Sequence, residues 1–397
     1  MNTRDYIEQT EANVLHTYNR FPVVFERGEG VRLYDTDGKE YLDFAAGIAV
    51  YALGYGNKAY NEALKDQIDH ILHTSNLYYN VPMGEAAARL VRASGMSKVF
   101  FTNSGTEAIE GAIKAARKYA WLKDGRNDHE IIAMQHSFHG RSMGALSVTG
   151  HESYQTPFRP LIGGIRFADF NDIESVRAQI TDRTCAVILE TVQGEGGIYP
   201  ADPGFLKEIR AICDEKDILL ILDEIQCGMG RTGYMFAWQG YGVMPDIMTT
   251  AKALGCGVPV GAFVLNEKTA ANSLVPGDHG TTYGGNPLAA RAVAEVLRLY
   301  EEQDIVGHVK SVTPYLEKCL DGFVQRHACV TERRGKGLMQ GLQLDDSVRV
   351  GEICSQALKE GLVVISAGEN VVRLVPPLVI TESDIDEMED KLKRCFD

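Results

Sequence analysis

The feature that most constrains the fold of this chain is a continuous apolar run, Ile218–Leu222, that ends in two acids, Asp223 and Glu224. An apolar strand without polar alternation is typical of a parallel sheet that is covered on both faces. Open α/β sheets bind ligands at the carboxyl ends of their strands. The run therefore predicts a buried strand that presents an acid to a binding site.

A lysine, Lys252, follows a second strand pattern, Asp246–Thr249. An acid at one strand end and a lysine near the next suggest two side chains that face one ligand. Pyridoxal phosphate suits this pair, because its aldehyde forms a Schiff base with a lysine and its ring nitrogen needs an acidic partner. Asp223 and Lys252 are therefore candidate cofactor-binding residues.

Strand and helix patterns alternate through the middle of the chain, which predicts an α/β fold with a mostly parallel sheet. The other predicted strands are Val99–Phe101, Ile131–Met134, Ala186–Leu189 and Val260–Leu265, and the predicted helices are Asn61–Leu72, Thr106–Tyr119, Pro203–Cys213 and Leu288–Tyr300. From about residue 301 the pattern is that of a separate α+β unit. We expect a large domain of residues 46–300, and a smaller α+β domain of residues 1–45 plus 301–397.

The helix that begins near Thr106 is preceded by a sequence suited to anion binding. Ser104 and Glu107 have the spacing of a capping box, which by itself predicts only a well-capped helix. The free N–H groups of Gly105 and Thr106 are also able to hold a phosphate, with help from the helix dipole. Gly105 would let the backbone approach that phosphate closely. Both interpretations are compatible with the sequence.

The loop after Ile131–Met134 contains two histidines, His136 and His139, without a third ligand nearby. Such a pair is more typical of loop hydrogen bonds than of a metal site. Phe138 suits either a cofactor ring or core packing. Arg141 suits either bidentate recognition of a carboxylate or a surface ion pair.

Gly228–Gly233 matches G-x-G-x-x-G after a strand, but we reject a dinucleotide site. That site requires a helix next and an acid about 20 residues further on. Tyr234–Gly242 has no helical period, and Asp246 comes too early. We predict a turn between two strands.

Arg373 stands alone in an apolar strand pattern, Val371–Pro377. A charge in such a strand should be paired or should bind an anion. The glycine-rich stretch Gln193–Gly197 surrounds Glu195 and allows a close ligand approach, although it also suits an ordinary strand-to-helix loop.

Composition argues against several classes of function. The net charge of the 397-residue chain is −14, which disfavours binding to nucleic acid or to an anionic membrane. No apolar run approaches the roughly 18 residues of a membrane span. Eight cysteines without a C-x-x-C pair indicate free thiols of a reducing cytosol. We expect a cytoplasmic enzyme.

Six motifs together resemble the class III aminotransferases, which have pyridoxal-phosphate fold type I. They are Asn103–Glu110, His136–Arg141, Glu190–Gly197, Leu222–Gly233, Thr250–Gly255 and Thr281–Pro287. The resemblance covers nearly the whole chain. It implies an aspartate-aminotransferase-like fold, pyridoxal 5'-phosphate as cofactor, and a homodimer with shared active sites.

The resemblance also implies residue roles. Lys252 would bind the cofactor covalently and move the substrate proton, and Asp223 would pair with the ring nitrogen. Other cofactor contacts would come from Gly105, Thr106, Phe138, Ile225, Gln226 and, from the partner subunit, Thr282. Substrate contacts would come from Arg141, Glu195, Thr281 and Arg373, with Glu195 covering Arg373 until a dicarboxylate displaces it.

The segments Tyr18–Val24, Asp43–Leu53 and His73–Tyr79 resemble family members that act on N-acetylornithine. The implied reaction moves its δ-amino group to 2-oxoglutarate, giving N-acetylglutamate 5-semialdehyde and glutamate for arginine biosynthesis. Ornithine, succinylornithine and 4-aminobutyrate are alternative donors, and an aminomutase would need no external oxo acid. Two places depart from the family pattern. The family often has His-x-His-Pro where this chain has Tyr55–Lys58, and it usually has a proline in place of Thr191.

Overall fold

The computed structural model describes residues 2–396. Its strands are β1 (Phe25–Glu29), β2 (Arg32–Asp35), β3 (Glu40–Asp43), β4 (Lys98–Thr102), β5 (Glu130–Met134), β6 (Ile165–Ala168), β7 (Thr184–Glu190), β8 (Val192–Gln193), β9 (Tyr199–Pro200), β10 (Leu219–Asp223), β11 (Ile247–Thr250), β12 (Gly261–Leu265), β13 (Val330–Lys336), β14 (Met339–Leu344), β15 (Leu362–Val363), β16 (Ile365–Ala367) and β17 (Val371–Leu374). Its helices are α1 (Thr3–Asn13), α2 (Ala46–Ala49), α3 (Lys58–His70), α4 (Val81–Ser94), α5 (Gly105–Asp124), α6 (Met143–Ser147), α7 (Glu152–Gln155), α8 (Ile173–Gln179), α9 (Pro203–Lys216), α10 (Ala237–Tyr241), α11 (Glu267–Ala271), α12 (Pro287–Glu302), α13 (Ile305–Arg326), α14 (Val350–Lys359) and α15 (Glu382–Lys393).

A seven-stranded sheet organises the middle of the chain, in the order β4-β12-β11-β10-β7-β5-β6. The pairs from β11 to β6 are parallel, whereas β12 is antiparallel to both of its neighbours. Every residue of β5, β7, β10, β11 and β12 is buried, which explains their lack of polar alternation. The predicted mostly parallel sheet is confirmed.

Helices cover both faces of this sheet. On one face α5 contributes Ile109, Ala112 and Ala116 to a buried cluster with Ile131 and Ile221 of the strands. On the other face α9 and α12 pack against the alternate residues of the same strands. Burial on both faces fixes where each strand ends, and therefore which residues reach its carboxyl edge.

One local expectation is wrong, because α10 forms a short helix within Tyr234–Gly242. The buried carboxylate of Glu224 accepts hydrogen bonds from the backbone N–H groups of Ala237 (2.7 Å) and Trp238 (2.9 Å) at the start of that helix. The helix has only 5 residues, which is too short to show a helical period, and its first donors are satisfied by a carboxylate outside it. The glycine run itself contains no helix, as predicted.

The two ends of the chain share a sheet. Strands β2 and β3 form an antiparallel hairpin, and β3 pairs in parallel with β15. A second small sheet has the order β13-β14-β17-β16. The division into a large domain and a smaller one made from both ends stays a prediction. In residues 2–396, no helix is both long and apolar enough to cross a membrane.

Candidate active site

A cavity of about 490 Å³ lies at the carboxyl ends of β7, β10 and β11, beside the N-terminus of α5. Its lining residues are Val50, Asn103, Ser104, Gly105, Thr106, Phe138, His139, Gly140, Arg141, Glu190, Asp223, Ile225, Gln226, Ala251, Lys252, Gly257, Val258, Pro259 and Val260. A second cavity of about 870 Å³ lies between the N-terminal segment and α14, but neither Asp223 nor Lys252 lines it. The smaller cavity therefore contains the predicted chemistry.

Lys252 lies two residues after the end of β11 and is half-buried in the cavity wall. Burial lowers the pKa of its ammonium group from 10.5 to about 8, although Glu195 and Asp223 partly oppose this shift. Its backbone has a φ of 48°, a left-handed conformation that residues other than glycine rarely adopt. A lysine with such a pKa is able to act both as a nucleophile and as a proton carrier near neutral pH.

Asp223 is the last residue of β10, and its carboxylate has three partners. Nδ1 of His139 lies 2.7 Å from Oδ2, while Thr249 Oγ1 and the N–H of Ile225 donate to Oδ1 at 3.0 Å each. Nε2 of His139 is buried and has no hydrogen-bond partner among the described residues. The sequence suggested loop hydrogen bonds for His139, but gave no sign that its partner is the candidate pyridinium acid.

The N-terminus of α5 forms one end of the cavity. Ser104 is the N-cap, as predicted, and its hydroxyl accepts from the N–H of Glu107 at 3.4 Å. The expected capping box is wrong in its second half. The Glu107 carboxylate accepts from the backbone and side chain of Asn103, each at 2.8 Å, instead of from Ser104. The reason is that Asn103 offers two donors.

Gly105 and Thr106 line the cavity at this helix terminus. A Cβ atom on Gly105 would lie 2.8 Å from Cδ1 of Ile225, so a side chain here would displace the opposite wall. The Thr106 hydroxyl lies 2.7 Å from that of Ser142. Free N–H groups at the positive end of a 20-residue helix form a site suited to an anion.

Phe138 and Ile225 both line the cavity, and their implied contact with the cofactor stays a prediction. The N–H of Phe138 donates to Oε1 of Glu190 at 2.9 Å, and the N–H of Gly194 donates to Oε2 of the same carboxylate at 3.0 Å. Burial raises the pKa of Glu190 to about 7. Sequence reasoning placed Glu190 at a strand end but assigned it no role.

Arg373 lies in β17 with only 3% of its surface exposed. Its guanidinium forms a bidentate ion pair with Glu195, with Nη1–Oε1 at 2.6 Å and Nη2–Oε2 at 3.2 Å. Gln226 accepts from Arg373 at 3.0 Å and donates to Glu195 at 3.1 Å. Burial opposes the charge of Glu195, but Arg373 outweighs it, so the pKa of Glu195 falls below its usual value. The predicted need for a partner is met.

Arg141 is exposed at the edge of the cavity. Its guanidinium carbon lies 3.8 Å from the ring centroid of Tyr154 and 5.5 Å from that of Phe138. No salt bridge to Arg141 occurs within residues 2–396. Stacking on aromatic rings leaves the five N–H donors available for a carboxylate.

Thr281 and Thr282 do not line this cavity. The Thr281 hydroxyl accepts from the N–H of Gly284 at 3.0 Å and therefore stabilises a turn, while Thr282 is exposed. Asn103 also donates to the Thr281 hydroxyl, at 3.4 Å. Their implied roles, including contact with a partner's cofactor, stay predictions.

The residues around the cavity fit pyridoxal phosphate. Lys252 supplies an amine with a lowered pKa, Asp223 an immobilised carboxylate, and the N-terminus of α5 an anion site. Phe138 and Ile225 supply side walls. Glu195 and Arg373 adjoin the cavity through Gln226.

The family model described as "Aminotransferase class-III" matches residues 14–396. An acetylornithine aminotransferase of Caldanaerobacter subterraneus is 48% identical, over 94% of this chain and 94% of that protein. One from Methanocaldococcus jannaschii is 44% identical, over 100% of this chain and 99% of its own.

Solved structures of aminotransferases are also similar to this chain. The ornithine aminotransferase of Toxoplasma gondii has a TM-score of 0.96 at 29% identity, covering 100% of this chain and 95% of its own. The N-acetylornithine aminotransferase of Stenotrophomonas maltophilia has a TM-score of 0.84 at 38% identity, covering 98% of each chain. An amine transaminase from an uncultivated Pseudomonas species, in its pyridoxal-phosphate-bound form, has a TM-score of 0.90 at 29% identity, over 97% of this chain and 96% of its own. The expected fold is confirmed, and the chain belongs to the class III aminotransferases, which are pyridoxal-phosphate-dependent enzymes.

Proposed function

We propose that this enzyme transfers the δ-amino group of N-acetylornithine to 2-oxoglutarate, in the arginine biosynthetic direction. The observation that carries this proposal is the pair of guanidinium groups beside Lys252. Arg141 is free at the edge of the cavity, whereas Arg373 is covered by Glu195. The curated relatives named acetylornithine aminotransferase, at 41–48% identity, support the choice of donor.

The cofactor side of the site would work through this chain's own groups. When bound, pyridoxal phosphate supplies a ring that accepts electron density from the carbon beside the reacting nitrogen. Asp223, held by His139 and Thr249, would keep a proton at the ring nitrogen. With a pKa near 8, Lys252 Nζ would take a proton from the substrate carbon beside the reacting nitrogen and deliver it to the cofactor carbon on the other side of that nitrogen. Gly105 and Thr106 would hold the phosphate.

The substrate side would use charge to distinguish two substrates. N-acetylornithine presents its carboxylate far from the reacting δ-amine, where Arg141 would bind it. Arg373 would stay paired with Glu195 during that half-reaction. No second free cation would then attract the carboxylate of N-acetylornithine and bind the substrate in the reverse orientation. 2-Oxoglutarate has two carboxylates, and its second would displace Glu195 from Arg373.

A spectrophotometric panel of half-reactions tests the donor. The change in cofactor absorbance is followed with N-acetylornithine, ornithine, succinylornithine and 4-aminobutyrate, and N-acetylornithine should give the highest rate per concentration. A higher value for another donor would overturn the assignment. Product formation without any 2-oxoglutarate would instead support an aminomutase.

We also propose a cytoplasmic homodimer with shared sites. Four large apolar side chains next to the loop of Thr282 are strongly exposed in a single chain, which favours burial against a second copy. They are Leu77 (87%), Tyr79 (101%), Val81 (70%) and Tyr283 (61%). Asn76 attaches this segment to the loop by donating to the carbonyls of Thr281 and Gly284. Light scattering that gives a monomeric mass would exclude the dimer.

A further inference from the structure

Glu190 is a buried carboxylate that connects two loops of the site. It is the last residue of β7 and lies opposite Asp223 in the parallel pair of β7 and β10. Its two oxygens accept from the N–H groups of Phe138 (2.9 Å) and Gly194 (3.0 Å). These donors belong to different loops, one after β5 and one after β7. One carboxylate therefore accepts from both loops. A second hydrogen bond joins them at their bases, where the Gln193 side chain donates to the carbonyl of Gln135 at 2.9 Å.

The first of these loops contributes residues to the cofactor cavity, and the second contributes the carboxylate that covers Arg373. The first contains Phe138 in the cavity wall, His139 on Asp223, and the free guanidinium of Arg141. The second contains Glu195, which follows Gly194 and covers Arg373. A change in the spacing of these loops would move the cofactor wall relative to the group that covers Arg373.

We infer that Glu190 is a positioning residue for the aminotransferase reaction, and that its ionised carboxylate holds the Phe138 loop and the Glu195 loop at a fixed separation. The inference rests on the proposed role of Glu195 in covering Arg373. Glu190 lines the cavity but need not touch the substrate. It acts through the two N–H groups that it accepts.

Several charged or titratable groups face Glu190, so its hydrogen bonding depends on pH. His139 approaches from the loop after β5, and Asp223 and Cys227 approach from the end of β10. Lys252 approaches from the end of β11. With a pKa near 7, the carboxylate is fully ionised only in mildly alkaline solution, where both oxygens accept strongly.

Glu224 is a matched control. It is fully buried at the end of the same sheet, it accepts from two backbone N–H groups, and burial raises its pKa to about 7 as well. Its two backbone donors, Ala237 and Trp238, both lie in α10, and its third donor is the Thr191 hydroxyl at 3.3 Å. Glu224 does not line the cavity. The two carboxylates therefore differ mainly in what they hold.

The test compares Glu190→Gln and Glu224→Gln, both loaded with pyridoxal phosphate and free of substrate, by hydrogen–deuterium exchange. In Glu190→Gln, segments 136–142 and 192–198 should exchange about tenfold faster, as expected after loss of a charge-assisted hydrogen bond. In Glu224→Gln those segments should be unchanged, and residues of α10 should exchange faster instead. The inference would be overturned if the two segments exchange at the same rates in Glu190→Gln as in Glu224→Gln. It would also be overturned if their exchange does not increase in Glu190→Gln.

A pH series separates positioning from a general structural role. After correction for intrinsic exchange, protection of the two segments in the native enzyme should rise as pH passes through about 7, and Glu190→Gln should abolish that step. If Glu190→Gln does not fold, Glu190→Asp replaces it. The shorter side chain keeps the charge but cannot reach both donors, so faster exchange should remain in one segment.

These measurements contain no amino donor, so they do not depend on which donor the enzyme prefers. A failure of the half-reaction panel would change the donor and leave the exchange result intact. As a link to function, the ratio of rates with glutamate and N-acetylornithine should shift in Glu190→Gln and stay constant in Glu224→Gln. A constant ratio in both variants would contradict control of the Glu195 loop.

Discussion

The cofactor side and the substrate side of this site are built in different ways. Asp223 and Lys252 lie at the ends of adjacent parallel strands of one buried sheet, so packing on both faces fixes their separation. The substrate side brings together Glu195, from a glycine-rich loop, and Arg373, from a strand of another sheet. The residues proposed for both half-reactions, Asp223 and Lys252, thus lie at strand ends of one buried sheet. The ion pair proposed to distinguish the substrates, Glu195 with Arg373, joins a loop to a strand of another sheet.

The largest expected effect is on the cofactor side. Lys252→Ala removes the amine that moves the proton, and both half-reactions should fall by about 10³-fold or more. Steady-state and single-turnover rates measure this, with Lys98→Ala, an exposed residue at the start of β4, as the control. A loss in only one half-reaction would show that the two sides are not separate in function.

A smaller but selective effect is expected on the substrate side. Glu195→Ala leaves Arg373 without its carboxylate, so the half-reaction with glutamate should gain on that with N-acetylornithine by about tenfold, the scale of one charged hydrogen bond. The measurement is the ratio of the two half-reaction efficiencies. Unchanged rates for both substrates would contradict the covering role. Gln226→Leu offers a comparison that leaves the ion pair in place.

The carboxylates at the strand ends predict a dependence of stability on pH. The pKa of Glu224 is raised from 4.5 to about 7, so its contribution to the free energy of unfolding is present below about pH 4.5 and is lost as pH rises through 7. Glu224→Gln should therefore make the fall in unfolding free energy between pH 5 and 7 smaller by about 2 kcal/mol. Denaturant titrations at several pH values measure it, and an identical slope would contradict the raised pKa.

The smallest effect concerns the cap of α5. Ser104→Ala removes the acceptor for the N–H of Glu107 and should lower the free energy of unfolding by about 1 kcal/mol. The dissociation constant of pyridoxal phosphate should rise slightly, while the preference among amino donors should not change. A changed donor preference would show that the phosphate end also determines substrate choice. Thermal melting and cofactor titration measure the two effects.

Features that repeat along the chain were predictable from it. The continuous apolar runs predicted the buried strands, and the end of the run in β10 placed Asp223 correctly because the carboxyl ends of parallel strands form the binding edge of such a sheet. The N-cap Ser104 followed from local spacing. The helix α10 was not predictable in this way, because its 5 residues are too few to show a period and its first N–H groups are satisfied by Glu224 from outside the helix.

The sequence by itself determined the alternation of strands and helices, the position of the lysine and acid at the strand ends, and the family. Only the tertiary structure decided that His139 holds Asp223 and that Glu190 connects two loops. It also supplied the ion pair of Glu195 with Arg373, which the family resemblance had implied. The physical reason is the range of the interaction. Periodicity reports burial against a neighbouring layer, whereas these hydrogen bonds join residues up to 178 positions apart, whose approach depends on how the whole chain packs.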